Sequence, residues 1–146
     1  MIGAKVADIV ADMTPADAQD ILTEMFAPWV RALDMRVDEI GPEGATLSIP
    51  VTADIARVGG IVSGQALATL ADTAMVFAAI GHYGAFRPVA TTNLDTVFLR
   101  PGAGDRIDCH ARVVRAGKAV LFADATMIAR PTDKPVATAT ATYMVP

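Results

Sequence analysis

The sequence GGIVSGQALATLADTAMVFAAIG, residues 59–81, decides how the rest of the chain is arranged. It reads as a long apolar helix, and Asp72 is the only formally charged side chain between Arg57 and Arg87. A buried carboxylate is costly unless it is paired, hydrogen-bonded or protonated. A chain that keeps one in such a place usually uses it, so Asp72 is the first candidate for a functional residue.

This central helix is predicted to run from about Val62 to Ile80, a length of roughly 28 Å at about 1.5 Å per residue. Ser63 is the predicted N-cap, and Gly81 together with Gly84 is predicted to end the helix. The apolar side chains leave no polar face. The helix should therefore be surrounded by other elements rather than lie on a surface.

The flanking sequence predicts one helix and six strands. Thr14, Pro15 and Asp17 are typical of a helix start. From about residue 32 the apolar period changes to two, which predicts a hairpin around the turn Gly41–Gly44. Four further strands are predicted at 89–99, 106–114, 120–129 and 136–145. This order predicts an α+β fold in which an antiparallel sheet curls around one long helix.

Length and composition limit the remaining possibilities. The 146 residues suit one domain, and a 53% hydrophobic composition favours association with further copies of the chain. A net charge of −4 argues against nonspecific nucleic-acid binding. The single cysteine, Cys109, cannot form an internal disulfide. With no secretory leader pattern and no charge-free membrane span, we expect a cytoplasmic protein without a membrane partner.

Three motifs together resemble a known family. They are a glycine at a helix start (Gly64), a carboxylate eight positions later in Leu-Ala-Asp-Thr-Ala (Asp72), and the strand Thr91–Pro101 ending in Phe-Leu-Arg-Pro. The pattern resembles the hot-dog-fold acyl-CoA thioesterases, and within them the phenylacetate-degradation (PaaI-like) branch. The resemblance runs from about residue 34 to the C-terminus. It implies a single hot-dog domain over 1–146, with about 1–30 as a helical extension.

The spacing of Gly64 and Asp72 has a physical reading of its own. N–H groups in the first helical turn lack intrahelical partners and lie at the positive end of the dipole, so the Gly64 N–H could polarise a thioester carbonyl. Asp72 lies about 12 Å further along the helix, too far to act on the same peptide-sized group. The resemblance implies an answer, a homodimer in which Gly64 of one chain faces Asp72 of the other, with a homotetramer as the expected assembly.

In that arrangement Asp72 acts as a general base or as a nucleophile, two roles the residues leave open. The alternative is a structural Asp72, hydrogen-bonded to backbone or to Thr69 or Thr73. The resemblance also implies that Thr91 orients the attacking water. Asn93, two residues along the strand, is expected on the same face as Thr91 and near the substrate.

This chain departs from the family pattern at the helix start. The PaaI-like motif usually reads His-Gly-Gly, where this chain has Ser63-Gly64-Gln65. Ser63 could donate a hydrogen bond in place of the histidine or simply cap the helix. Arg57 stands where a related position usually carries Asn or Gln. Ser63, Gln65 and Arg57 are therefore candidate substrate-binding residues.

Basic residues at strand ends could bind the phosphates of coenzyme A, or form ordinary surface charge. They are Arg100, Arg115, Lys118 and Arg130, and Arg100 is taken as a candidate substrate-binding residue. The chain has no metal-ligand cluster, no phosphate-binding glycine loop and no Gly-x-Ser-x-Gly motif, so neither a metal nor a cofactor is expected.

The favoured function is hydrolysis of an aryl- or medium-chain acyl-CoA thioester. One alternative is a non-catalytic module that binds or senses acyl-CoA. The other is a hot-dog enoyl-CoA hydratase, which needs a histidine paired with the carboxylate; His82 lies ten positions from Asp72 instead of about five.

Overall fold

The computed structural model describes residues 13–146. Its helices are α1 (Pro15–Met25), α2 (Pro28–Arg31) and α3 (Gly64–Tyr83). Its strands are β1 (Arg36–Gly41), β2 (Gly44–Pro50), β3 (Ala56–Arg57), β4 (Ile61–Val62), β5 (Ala90–Phe98), β6 (Arg106–Ala116), β7 (Val120–Arg130) and β8 (Lys134–Met144). Six strands form one antiparallel sheet in the order β1-β2-β6-β7-β8-β5, which packs around α3. The predicted α+β hot-dog fold is confirmed; β3 and β4 form a separate small antiparallel ribbon just before α3.

Helix α1 begins as the sequence indicated. Thr14 Oγ1 accepts a hydrogen bond from the Asp17 N–H at 3.1 Å, and the Asp17 carboxylate accepts one from the Thr14 N–H at 3.2 Å. Gln19 then joins the helix to the sheet, donating to the Met35 carbonyl at 3.0 Å and accepting from the Val37 N–H at 2.8 Å. The described part of the N-terminal extension is therefore tied to β1. The predicted extension over 1–12 lies outside the described residues.

Helix α3 starts at the predicted cap but ends later than predicted. Ser63 Oγ accepts from the Ala66 N–H at 3.2 Å. The helix ends at Gly84, whose left-handed φ of 74° suits glycine. Gly81 does not end the helix: a Cβ there would collide with the Gly41 carbonyl oxygen, so this glycine allows α3 to approach β1 closely.

The prediction that α3 is covered on every side is wrong for one stripe. Most of the helix is buried against the inner face of the sheet. The partly open stripe follows the helical repeat and consists of Gln65, Ala68, Thr69, Asp72 and Val76. Helix α3 is long and apolar enough to span a membrane on composition alone, but 67% of an apolar 18-residue segment of it is buried inside the fold.

Strand β5 is a long, open edge of the sheet. Its nine residues pair with β8 on one side only. Two of its apolar side chains, Val97 (49%) and Phe98 (54%), are about half exposed, and so is Leu99 (49%), the residue after it. An edge strand of this length with exposed apolar side chains is suited to pairing with another chain.

A bulge in β5 changes which side chains share a face. Thr91 lies opposite Tyr143, but Asn93 lies opposite Thr142, because one extra residue is inserted between them. Tyr143 and Thr142 are neighbours on β8 and point to opposite faces. Thr91 therefore points towards α3 and Asn93 away from it. The expectation that Thr91 and Asn93 share a face is wrong.

Candidate active site

The Asp72 carboxylate is held by two hydroxyl groups from the sheet. Thr91 Oγ1 on β5 donates to Asp72 Oδ1 at 3.0 Å, and the Tyr143 hydroxyl on β8 donates to the same oxygen at 2.8 Å. Among residues 13–146, Oδ2 has no hydrogen-bond partner, and Asp72 as a whole is half-buried. One oxygen is thus fixed by the fold and the other is free to meet a ligand.

Tyr143 is the residue that sequence reasoning missed. It is fully buried, and its hydroxyl also lies 3.1 Å from the Asp72 backbone carbonyl. Burial, with the nearby Asp72 carboxylate, raises the pKa of Tyr143, so the hydroxyl keeps its proton at neutral pH. The alternation of residues along β8 places Tyr143 on the same face as the buried Ala139 and Ala141. It did not reveal that the β5 register sets Tyr143 beside Thr91.

An apolar pocket of about 210 Å³ opens beside Asp72. Its walls come from α3, from Leu94 on β5, and from helix α2 together with Phe26, which lies between α1 and α2. The lining side chains beside Asp72 are Phe26, Trp29, Val30, Ala68, Thr69, Thr73, Val76 and Leu94. The ring of Phe26 stacks on Phe77 at 5.4 Å, which fixes that wall to the core. The pocket places the carboxylate at the edge of an apolar, partly aromatic surface.

A second cleft, of about 330 Å³, lies at the start of α3. It brings together Gly64, Arg57 and Arg100, three residues that the sequence predicted to act on substrate. Phe98 covers Gly64 closely enough that a Cβ there would lie 3.2 Å from its ring. Arg100 also donates to the Pro135 carbonyl at 2.7 Å, which anchors part of its guanidinium. The start of α3 thus combines first-turn N–H groups with two cations.

The remaining predicted residues fall in different places. Ser63 caps α3, the simpler of its two predicted uses. Gln65 is exposed at the first turn and belongs to the open stripe. Asn93 lies on the face of β5 opposite to Asp72. The structure groups Asp72 with Thr91, and Gly64 with Arg57 and Arg100, but not these two groups with each other.

Two other features lie away from Asp72. A groove of about 680 Å³ lies on the outer face of the sheet near Thr46, His110 and Arg112, and it shares no residue with either cleft. A second aspartate, Asp108, is 7% exposed and lies between Arg106 and Arg130. Across residues 13–146, no three His, Cys, Asp or Glu side chains cluster as metal ligands would.

A family model named Thioesterase superfamily matches residues 59–136, just over half of the chain. The chain belongs to the thioesterase superfamily. The match begins at the glycines before α3 and ends in β8, so it includes Asp72, Gly64 and Thr91 and stops before Tyr143. Membership confirms the expected hot-dog thioesterase family and a thioester hydrolase as the class of enzyme.

Individual proteins similar to this chain are also named as esterases or thioesterases. A Thermoplasma acidophilum protein named as a candidate esterase is 27% identical over 114 residues, covering 77% of this chain and 85% of that protein. A thioesterase family protein from Silicibacter pomeroyi is 27% identical with a TM-score of 0.79, over 87% of this chain and 93% of that one. The Haemophilus influenzae thioesterase HI1161 has a TM-score of 0.83 over 94% of both chains, and at 15% identity it shows likeness of fold.

Proposed function

We propose that this protein hydrolyses acyl-CoA thioesters at a site shared by two copies of the chain. Asp72 of one copy provides the base or nucleophile, and the Gly64 N–H of the other polarises the thioester carbonyl. The main support for this proposal is the geometry of the Asp72 carboxylate: Oδ1 accepts hydrogen bonds from two hydroxyls, and Oδ2 is unpaired among residues 13–146. This is how a carboxylate is arranged when it is to be positioned without being neutralised.

Two features of a single chain support a site shared by two copies: the distance between Gly64 and Asp72, and the exposed surfaces next to Asp72. Asp72 follows Gly64 by eight helical positions, about 12 Å along the axis, so one thioester group cannot contact both in one chain. The open stripe of α3 and the edge strand β5 are neighbouring surfaces that carry Asp72 and Thr91. A second chain covering them would bring its own Gly64 towards this Asp72. A tetramer made from two such dimers stays a prediction.

The two clefts suggest where the ends of the substrate bind. The pocket beside Asp72 is apolar and has Phe26 and Trp29 in its wall, which suits an aryl or medium-length acyl group. The cleft at the start of α3 contains Arg57 and Arg100, which suit the phosphates of coenzyme A. The carbonyl would then lie between an apolar subsite and a cationic one.

The chemistry follows from these positions. In the base route, Asp72 Oδ2 takes a proton from water as the water oxygen bonds to the carbonyl carbon; the C–S bond then breaks, and the leaving thiolate receives that proton from Asp72. In the nucleophile route, Oδ2 itself attacks, the thiolate leaves, and water then cleaves the mixed anhydride. Both routes release a carboxylic acid and coenzyme A thiol, and in both the Gly64 N–H stabilises the charge that develops on the carbonyl oxygen.

Hydrolysis of a panel of acyl-CoA thioesters tests the activity. The panel contains aryl-CoAs and saturated acyl-CoAs of increasing chain length, and the released thiol is measured. We expect turnover of aryl or medium-chain thioesters that is lost in Asp72→Asn. Intact acyl-CoA after long incubation with stoichiometric wild-type protein would instead indicate a binding module. Full turnover by Asp72→Asn would refute the role of Asp72.

Mixing two inactive variants tests the shared site. Gly64→Pro removes the N–H donor at the first helical position, which tolerates proline, and Ser63 before it already has an extended ψ of 149°. Gly64→Ala is the matched control because it adds a Cβ and keeps the N–H. Gly64→Pro should lose about 10² to 10³ in kcat.

Co-refolding Asp72→Asn with Gly64→Pro should restore about a quarter of the wild-type activity. Random pairing gives about half heterodimers, and each heterodimer has one intact site of two. Absence of any recovery, with heterodimers demonstrated by mass, would place the whole site within one chain.

A further inference from the structure

The Tyr143 hydroxyl makes a hydrogen bond that the packing of its ring does not require. It is one of two tyrosines in the chain, and its inward-facing neighbours on β8 are the alanines at positions 137, 139 and 141. A buried hydroxyl needs a partner, and the Asp72 backbone carbonyl at 3.1 Å would suffice. The hydroxyl instead lies nearer to the Asp72 side chain, at 2.8 Å from Oδ1.

The two hydroxyls come from different strands and meet at a single oxygen. Thr91 and Tyr143 are register partners in the β5–β8 pair, so both lie under Asp72. The final torsion of an aspartate is broad, and one hydrogen bond would leave the plane of the carboxylate free to turn. Two donors on Oδ1 restrict that rotation and direct Oδ2 away from the sheet.

We propose that Tyr143 is a positioning residue that, together with Thr91, orients Asp72 so that Oδ2 is the reacting oxygen. This inference rests on the proposed thioesterase function. Tyr143 lies outside the segment matched by the family model, which ends at residue 136. It acts through Asp72 and need not touch the substrate.

The hydroxyl is suited to this task over a wide pH range. Burial raises the pKa of Tyr143, and the adjacent carboxylate raises it further. The group therefore remains a neutral O–H donor under conditions in which Asp72 must accept a proton or attack a carbonyl. An arginine in this place would also position the carboxylate, but it would neutralise it.

The test compares Tyr143→Phe with Tyr83→Phe. Tyr83 is the matched control because its hydroxyl is buried and has no hydrogen-bond partner among residues 13–146. Both changes remove one hydroxyl from the interior and leave the ring. Steady-state kinetics on the best acyl-CoA, melting temperature and oligomer mass are measured for both variants and for Asp72→Asn.

We expect Tyr143→Phe to lower kcat by about tenfold or more, since a hydrogen bond to a charged group is lost, with KM within about twofold. Tyr83→Phe should keep the wild-type kcat. Adding Thr91→Val to Tyr143→Phe should cost less than the product of the two single losses, because both donors serve one oxygen.

Three results would overturn the inference. The first is an unchanged kcat in Tyr143→Phe. The second is a rise in KM alone. The third is a loss of kcat that disappears when the variant is assayed well below its melting temperature. Failure of the proposed function looks different, because Asp72→Asn would then retain full hydrolysis, and the positioning role would fall with it.

Discussion

Two aspartates in this molecule have carboxylates that are fixed by hydrogen bonds from different kinds of donor. Asp108 on β6 accepts hydrogen bonds from Arg106 at 2.6 and 3.2 Å and from Arg130 at 2.8 Å. Asp72 on α3 accepts hydrogen bonds from two neutral hydroxyls, at 3.0 and 2.8 Å. Within residues 13–146, Asp72 has no cationic partner, whereas Asp108 has two.

The difference distinguishes a carboxylate paired with cations from the one that we propose as the reactive group. Burial opposes ionisation of Asp108, but hydrogen bonds and charge from Arg106 and Arg130 together outweigh it and lower the pKa of Asp108. A carboxylate so paired is a poor base. The Thr91 and Tyr143 hydroxyls fix the orientation of the Asp72 carboxylate through Oδ1. They leave Oδ2 unpaired among residues 13–146, and as neutral donors they do not neutralise the carboxylate. For this reason we propose Asp72, and not Asp108, as the aspartate that transfers a proton or attacks the thioester.

The largest expected effect is on activity. Asp72→Asn should lower kcat/KM by about 10³-fold, within the usual range for losing a catalytic base or nucleophile, while the fold is retained. Asp108→Asn should leave kcat/KM within about twofold below its melting temperature, because Asp108 belongs to neither cleft. Thiol release and circular dichroism measure the two effects. An equal loss of activity in both variants would end the distinction between the two aspartates.

The second effect is on stability, and here Asp108→Asn is the variant that is affected. Asp108→Asn should lower the free energy of unfolding by about 2 kcal/mol, because Arg106 and Arg130 lie directly opposite each other on β6 and β7 and would lose the charge between them. The expected cost is below that of breaking a fully buried pair because both arginines still reach water. Urea unfolding measures it.

Asp124→Asn is the control for this stability effect. Asp124 makes the same two-pronged contact with Arg112, at 2.9 and 3.1 Å, on the exposed outer face of the sheet. Exposed ion pairs contribute little, so this variant should unfold close to wild type. If Asp124→Asn lost as much unfolding free energy as Asp108→Asn, burial would not determine how much these ion pairs contribute to stability.

A smaller effect appears in the dependence of stability on pH. The folded pKa of Asp108 is below its unfolded value of about 3.9, so its contribution is complete above about pH 4 and is lost as the pH falls through the folded pKa. Wild type should therefore lose stability faster than Asp108→Asn on acidification, by up to about 1.4 kcal/mol per pH unit. Urea titrations at descending pH measure the gap between the two proteins, and a gap that stays constant would contradict this linkage.

Local sequence patterns predicted the helices and strands. The contacts between side chains of different strands depend on strand register, which those patterns do not give. Thr14 and Ser63 act as helix caps as predicted, because a cap depends on residues three positions apart. Asp108 meets its arginines only because Arg106 and Arg130 are register partners. Tyr143 meets Asp72 through the same kind of long-range pairing. Alternation along one strand cannot reveal such contacts, because it specifies a face and not a neighbour.

The smallest expected effect tests the bulge in β5, the point at which alternation failed. Regular pleating would set Asn93 beside Thr91 and under Asp72, whereas the inserted residue turns Asn93 to the opposite face. Asn93→Ala should therefore change kcat/KM by less than about twofold, and Thr91→Val should lower it about tenfold by removing a hydrogen bond to the carboxylate. The two residues are two positions apart and both polar, so only the register distinguishes them. Equal losses would mean that Asn93 reaches the substrate by another path, and the tyrosine and threonine pair would then no longer account for how Asp72 is held.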